Sequence, residues 1–336
     1  MSEYPRIEHL SWLEGNAFLL DLETGRKIPL LGKTRDETVS PNGKWVAYYD
    51  ASQEKIIVAD YDGNLILELP SPHRRLEPRY WLDDQHLVLD DWFSLDPEYD
   101  FKDPYVIPIT LNPFTGEQKE WWPSDFSHSL FPNILGGPTE WPAASELMFA
   151  PDMTHLAYSL ELPAQRAVAV VLWDMREQKE ISRVYTSYAP IWSPDSGQFA
   201  ISAIPTDLGN FNDGLPYENG SDLYTMDIQG KLRRLTYFSI VPRQSTMEEG
   251  YTWSPNGRKI AFWMLDRLHS RSPSLAVVTV ESKALVSYCA TDETLPESQM
   301  AAIIFPPHPI WSPDGQYIAI TVLNQDFGRK VLLVEL

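Results

Sequence analysis

Residues 309–320 read PIWSPDGQYIAI, residues 190–201 read PIWSPDSGQFAI, and residues 251–262 read YTWSPNGRKIAF. One pattern is written three times: an aromatic residue, Ser-Pro-Asp or Ser-Pro-Asn, Gly, then an apolar run. Pro presets φ for a tight turn, and Gly accepts the positive φ that a branched side chain resists. The apolar run is nearly continuous, as expected of a strand covered on both faces. Each copy therefore predicts a strand, a turn and a buried strand.

Weaker copies lie upstream: VSPNGKWVAYY around Pro41, FAPDMTHLAYS around Pro151, and WLDDQHLVLD, with Asp83 in the Pro place. The anchors Pro41, Asp83, Pro151, Pro194, Pro255 and Pro313 are spaced by 42, 68, 43, 61 and 58 residues. The shortest gaps match the roughly 40-residue length of a four-stranded propeller blade. A third strand follows each pair, as in KIIVAD, VAVVLWD and LAVVTV, and a small turn leads to a fourth, as in KLRRLT. The expected fold is all-β, a β-propeller of four-stranded antiparallel blades in a single domain over residues 1–336. The N-terminal NAFLLDLETGRKIPL and the C-terminal VLLVEL read as partial blades. They are expected to close the ring, because open strand edges would otherwise stay unpaired, and seven blades are favoured over six.

The Trp-Ser-Pro-Asp-Gly-x-x-Ile-Ala pattern resembles the TolB-type, WD-like propeller repeat, shared with the propeller domains of prolyl-oligopeptidase-type enzymes. The resemblance covers nearly the whole chain. It implies partner binding through propeller loops or channel, without a residue-level binding motif to carry over. Trp173-Asp174 matches the WD dipeptide but lacks the Gly-His partner, and is read as coincidence.

The bulk composition narrows the function. Asp and Glu number 47 against 27 Lys and Arg, a net charge of −20. Such a field repels phosphate backbones and anionic lipid surfaces, so nucleic acid is a poor partner, and cations or basic peptides are better ones. The single Cys289 excludes an internal disulfide and a Cys-based zinc site. MSEYPRIEHLSW lacks a basic n-region followed by an apolar h-region, and no run of about 18 apolar residues occurs. A cytoplasmic chain without membrane insertion is expected, or a periplasmic or extracellular one if a signal peptide was removed.

Extra length falls in 90–104 and 203–221, between second and third strands, and in 121–146, 237–250 and 289–307, between blades. In up-down blades these connections share one face, where binding usually resides. DDWFSLDPEYDFKD (90–103) sets acids beside aromatics, and WWPSDFSHSLFPNILGGPTEWP (121–142) is rich in Trp and Phe. Candidate partner-binding residues are Asp90, Asp91, Trp92, Phe93, Asp96, Glu98, Tyr99, Trp121, Trp122 and Trp141. A private loop core is the competing reading for Trp121 and Trp122. The residues just before each first strand are expected to rim the channel: Asp36, Glu37, Arg79, Glu146, Glu249 and His308.

Catalytic patterns are scarce. Gly-x-Ser-x-Gly, the P-loop and Gly-x-Gly-x-x-Gly are absent from the sequence, and no cofactor is implied. His9, His73, His86, His128, His155, His269 and His308 show no local metal spacing. Some propeller lyases gather His from several blades around a metal, which local spacing does not reveal. Asp207, Asn210, Asn212, Asp213 and Asp222 are hard oxygen donors and weak calcium candidates, because their spacing misses the EF-hand loop and Asn, Asp and Gly are ordinary turn formers, so a plain loop is the expectation. The leading reading is a non-enzymatic protein- or peptide-binding scaffold with an acidic, aromatic loop face. The alternative is a propeller glycan lyase or glycoside-active enzyme, with or without a metal, in which Trp faces stack on sugars. A peripheral structural subunit of a larger assembly is a third.

Overall fold

The computed structural model describes residues 6–7, 18–20, 27–29, 34–60, 62–72, 76–93, 105–120, 144–162, 167–177, 179–186, 190–205, 220–240, 244–246, 250–266, 274–288, 309–323 and 329–336. The chain forms two compact units, Met1–Ala143 and Ala144–Leu336. The first holds a small antiparallel sheet of β1 (Arg6–Ile7), β2 (Phe18–Leu20) and β3 (Lys27–Pro29), and two four-stranded blades. The first blade is β4 (Thr34–Val39), β5 (Trp45–Asp50), β6 (Lys55–Asp60) and β7 (Leu65–Pro70). The second is β8 (Leu76–Trp81), β9 (Leu87–Phe93), β10 (Tyr105–Leu111) and β11 (Gln118–Glu120).

The second unit holds four blades. The third blade is β12 (Ala144–Phe149), β13 (His155–Leu162), β14 (Ala167–Asp174) and β15 (Lys179–Tyr185). The fourth is β16 (Ile191–Trp192), β17 (Gln198–Ala203), β18 (Asp222–Asp227) and β19 (Leu232–Arg234). The fifth splits its first strand into β20 (Gln244–Thr246) and β21 (Thr252–Trp253), both paired to β22 (Lys259–Asp266), with β23 (Ser274–Thr279) and β24 (Leu285–Tyr288) beyond. The sixth is β25 (Ile310–Trp311), β26 (Tyr317–Leu323) and β27 (Arg329–Glu335).

All strand pairs are antiparallel, in the meander order of propeller blades. Six sheets carry the anchor turn, including the copy with Asp83 in the Pro place. The expectation of seven blades is corrected to six. The β1–β3 sheet consists of strands of only two or three residues and has no anchor turn, so the local apolar pattern at the N-terminus overstated it.

The buried second strands are as expected. In β5 and β17 every residue after the first is buried, while the outer β24 is largely exposed. Burial on both faces comes from blade-on-blade packing within each unit. Ala47, Tyr49, Ile56 and Val58 of the first blade cluster with Trp81, Leu87 and Leu89 of the second. In the second unit, Phe199, Ile201 and Tyr224 pack against the third blade, and Ile260 and Phe262 against the fourth.

The repeated motif builds a turn and a seam together. In the first blade, Ser40 N–H donates to Trp45 O at 2.9 Å, and Ser40 Oγ accepts Trp45 N–H at 3.0 Å. Asn42 Oδ1 accepts from Ser40 Oγ and Lys44 N, each at 2.8 Å. Ser193, Ser254 and Ser312 repeat the arrangement, and each is almost wholly buried. Gly43, Gly257 and Gly315 take φ of 71°, 67° and 70°, the conformation for which Gly was read.

The motif tryptophan reaches back one blade. Trp81 Nε1 donates to Thr38 O at 3.3 Å, Trp192 Nε1 to Met148 O at 2.7 Å, Trp253 Nε1 to Ile191 O at 2.8 Å, and Trp311 Nε1 to Thr252 O at 3.2 Å. The anchored blades lacking Trp here, at Val39 and Phe149, are the first of each unit. Trp253→Phe keeps an aromatic ring but orphans the Ile191 carbonyl, and should cost about 1–2 kcal/mol. The check is urea unfolding; an unchanged midpoint would mean that the indole N–H adds nothing to the seam.

Candidate functional site

The short turns between first and second and between third and fourth strands lie at one end of each blade. The longer connections leave from the other end. At that other end the first strands are irregular. Pairing slips between Arg35 and Thr38, between Pro78 and Tyr80, and between Ser145 and Met148. In the fifth blade the strand breaks between Thr246 and Thr252. These bulges fall on residues expected at the channel rim. Asp36 and Glu37 lie in the slip of β4, Arg79 in that of β8, and Glu146 in that of β12. They lie inside the first strands rather than before them, because pairing with the second strand continues past the bulge. A bulge re-aims side chains locally, which a period-2 reading does not foresee. Glu37 is buried, at 5 % exposure. Glu249 and His308 lie outside the described residues.

Asp90, Asp91, Trp92 and Phe93 are strand rather than loop residues. The ladder from Leu111↔Leu87 to Tyr105↔Phe93 carries β9 through them. Asp90 and Asp91 are 7 % and 6 % exposed, on opposite faces of the strand. Arg79, freed by the bulge, places Nε 3.1 Å from Asp90 Oδ2. Burial pushes the Asp90 carboxyl above its ordinary range, and the guanidinium pulls it part of the way back. Asp96, Glu98, Tyr99, Trp121, Trp122 and Trp141 lie outside the described residues, as do Asp207, Asn210, Asn212 and Asp213.

Asp222, a calcium candidate by sequence, has its oxygens engaged by protein donors. It is fully buried, and its oxygens accept from Arg234 Nη2 at 2.7 Å, Thr236 Oγ1 at 3.0 Å, Phe238 N at 2.5 Å and Ser239 Oγ at 2.5 Å. Arg234 also donates Nε to Thr236 O at 3.0 Å and Nη2 to Ser239 Oγ at 2.7 Å. This desolvated ion pair ties β18 to residues 234–239. The sequence signal for it was the paired Arg in KLRRLT, read only as a fourth strand.

With this geometry in view, no protein-family model matches the chain, and no curated protein matches it in sequence. Solved structures do match. An oligogalacturonate lyase in complex with manganese is 17 % identical at a TM-score of 0.56, covering 96 % of this chain and 82 % of its own. The Cps50 (Swd1) β-propeller domain of Myceliophteria thermophila is 10 % identical at 0.57, covering 100 % and 98 %. A prolyl endopeptidase is 10 % identical at 0.58, covering 99 % of this chain and 47 % of its own. The fold is a β-propeller. TolB from Acinetobacter baumannii also matches, 14 % identical at 0.47 and covering 98 % and 79 %. A lyase, an endopeptidase and the Swd1 domain share this fold, so the fold leaves the activity open. Among the described residues, no helix is long and apolar enough to cross a membrane.

Asp222→Asn leaves Arg234 buried with half its compensation, and should cost about 3–5 kcal/mol. Thermal and urea unfolding test it, and a loss below about 1 kcal/mol would show that the amide serves as well. Asp90 has a raised folded pKa, so its contribution to stability falls as pH climbs from about 4 through that value. Arg79→Ala should raise the folded pKa further and cost about 1 kcal/mol more at pH 7 than at pH 4. Asp90→Asn should remove the difference. Equal losses at both pH values would exclude the charge pairing as the cause.

Proposed function

We propose that the chain is a non-enzymatic scaffold that binds a protein or peptide, through the blade ends bearing the long connections. The observation that carries this reading is the end of β9. Asp90 is held there by Arg79 from a bulge, and the strand then runs through Trp92 and Phe93 into the acidic, aromatic segment. A buried, ion-paired carboxylate stands near the strand end from which a long connection departs, and short turns occupy the opposite blade end. Charge of −20 favours a basic partner, for association rate as much as for affinity. Of the residues expected at the rim, Asp36, Glu37, Glu146 and Glu249 are acidic, beside Arg79 and His308.

A glycan-active propeller is the second reading. It draws on the fold shared with the manganese-bound oligogalacturonate lyase and on the Trp-rich segments, whose ring faces suit sugars.

One experiment separates the two. A fluorescent Lys/Arg-rich peptide is titrated against wild type and a Trp92→Ala, Tyr99→Ala double variant. In parallel, oligogalacturonate with manganese is assayed for unsaturated product. The scaffold reading expects salt-sensitive peptide binding weakened about tenfold in the variant, without product. Equal peptide affinity in both proteins sinks this surface, and product formation selects the enzyme.

A further inference from the structure

Tyr237 is an exposed aromatic residue held from below by buried charge. Asp222 draws Thr236, Phe238 and Ser239 inward, and Tyr237 between them is 41 % exposed. The Arg234 guanidinium carbon lies 4.4 Å from its ring centroid. Lys283, from the turn between β23 and β24 of the next blade, brings Nζ within 3.5 Å of the phenol oxygen. The ring is thus fixed before any ligand arrives.

Lys283 stands in a left-handed backbone, with φ of 58°. Gly116 fills the same corner in the second blade, at φ of 74°. Both turns close alike, Gly116 N to Asn112 O and Lys283 N to Thr279 O, each at 2.8 Å. Glycine would sit here without strain, so this lysine opposes the local backbone preference.

The surrounding charge runs against the rest of the chain. The turns of the fourth and fifth blades carry the basic residues Lys231, Arg233, Arg258, Lys259 and Lys283 against the acidic residues Asp195, Asp227 and Glu281. Arg233 Nη2 bonds Glu281 O at 2.7 Å across the seam, and Val280 N bonds Arg258 O at 2.9 Å. Asp195 and Asp227 accept from their own turns, at Gly197 N and Lys231 N. Among the described residues, none of the five basic side chains lies within salt-bridge distance of a carboxylate. Leu285 and Val286, just beyond Lys283, are 41 % and 52 % exposed.

We propose that this seam docks an acidic peptide segment, with carboxylates meeting Lys283 and its basic neighbours and an apolar side chain resting on Tyr237. Exposed Tyr and Arg beside apolar residues are the composition of binding hot spots. The long-range field of −20 opposes any anion, so binding here rests on the local cations and on the ring, which an apolar side chain uses and a polyphosphate backbone does not. The surface prefers the opposite charge to the β9 site, so each can fail without the other.

The test is anisotropy of a fluorescein-labelled peptide of alternating Glu and Phe against the full chain, with heparin and single-stranded DNA as competitors. Wild type should bind, more weakly as salt rises. Tyr237→Ala and Lys283→Gly should each weaken binding about tenfold. Lys283→Gly should melt no lower than wild type, because glycine relieves the backbone, so its loss of binding is not a loss of fold. The proposal is overturned if both variants bind like wild type. It is also overturned if heparin or DNA displaces the peptide while Tyr237→Ala leaves its affinity unchanged, which would mark a diffuse positive field.

Discussion

The structure depends on one recurring bond, an indole N–H given by each motif tryptophan to a first-strand carbonyl of the preceding blade. The acceptors Thr38, Met148, Ile191 and Thr252 all lie in first strands, where the bulges and breaks also occur. A short or interrupted strand forms few ladder bonds of its own. The tryptophan offsets this by satisfying a carbonyl and burying a large ring in the same seam. The Ser-Pro-Asn/Asp-Gly turn beside it sets the approach, because a buried Ser side chain closes the turn from within.

With the seams secured in this way, the blade ends are free to vary. The short-turn ends are stereotyped, and the opposite ends hold buried carboxylates. Asp222 and Asp90 show two versions of that freedom. Asp222 is saturated with hydrogen bonds and acts as a fastening for residues 234–239. Asp90 has one guanidinium beside it and a carboxyl pushed up by burial, an arrangement that leaves its charge responsive to surroundings.

Much of the fold was legible because the turn motif repeats. Pro, Asn or Asp, and Gly have local conformational reasons to be there, and even the copy at Asp83 was readable by spacing. The count of seven blades failed because the short apolar segments before residue 30 have strand composition without an anchor. Asp90 and Asp91 read as loop because acids are rare in buried strands. Their placement follows from pairing with β10 and from Arg79, whose position depends on a bulge. The Asp222–Arg234 pair was missed because its members are 12 residues apart and meet only across β18 and β19.

The sequence by itself determined the turn, the buried second strand and the blade repeat, since each follows from φ preferences and apolar patterning within about a dozen residues. Only the tertiary structure decided what the tryptophans bond, which carboxylates are buried and paired, and which aromatic ring is presented to solvent at the seam of the fourth and fifth blades. Those outcomes turn on desolvation and on partners from neighbouring strands and blades, and nothing in a local stretch of chain encodes which distant group will arrive.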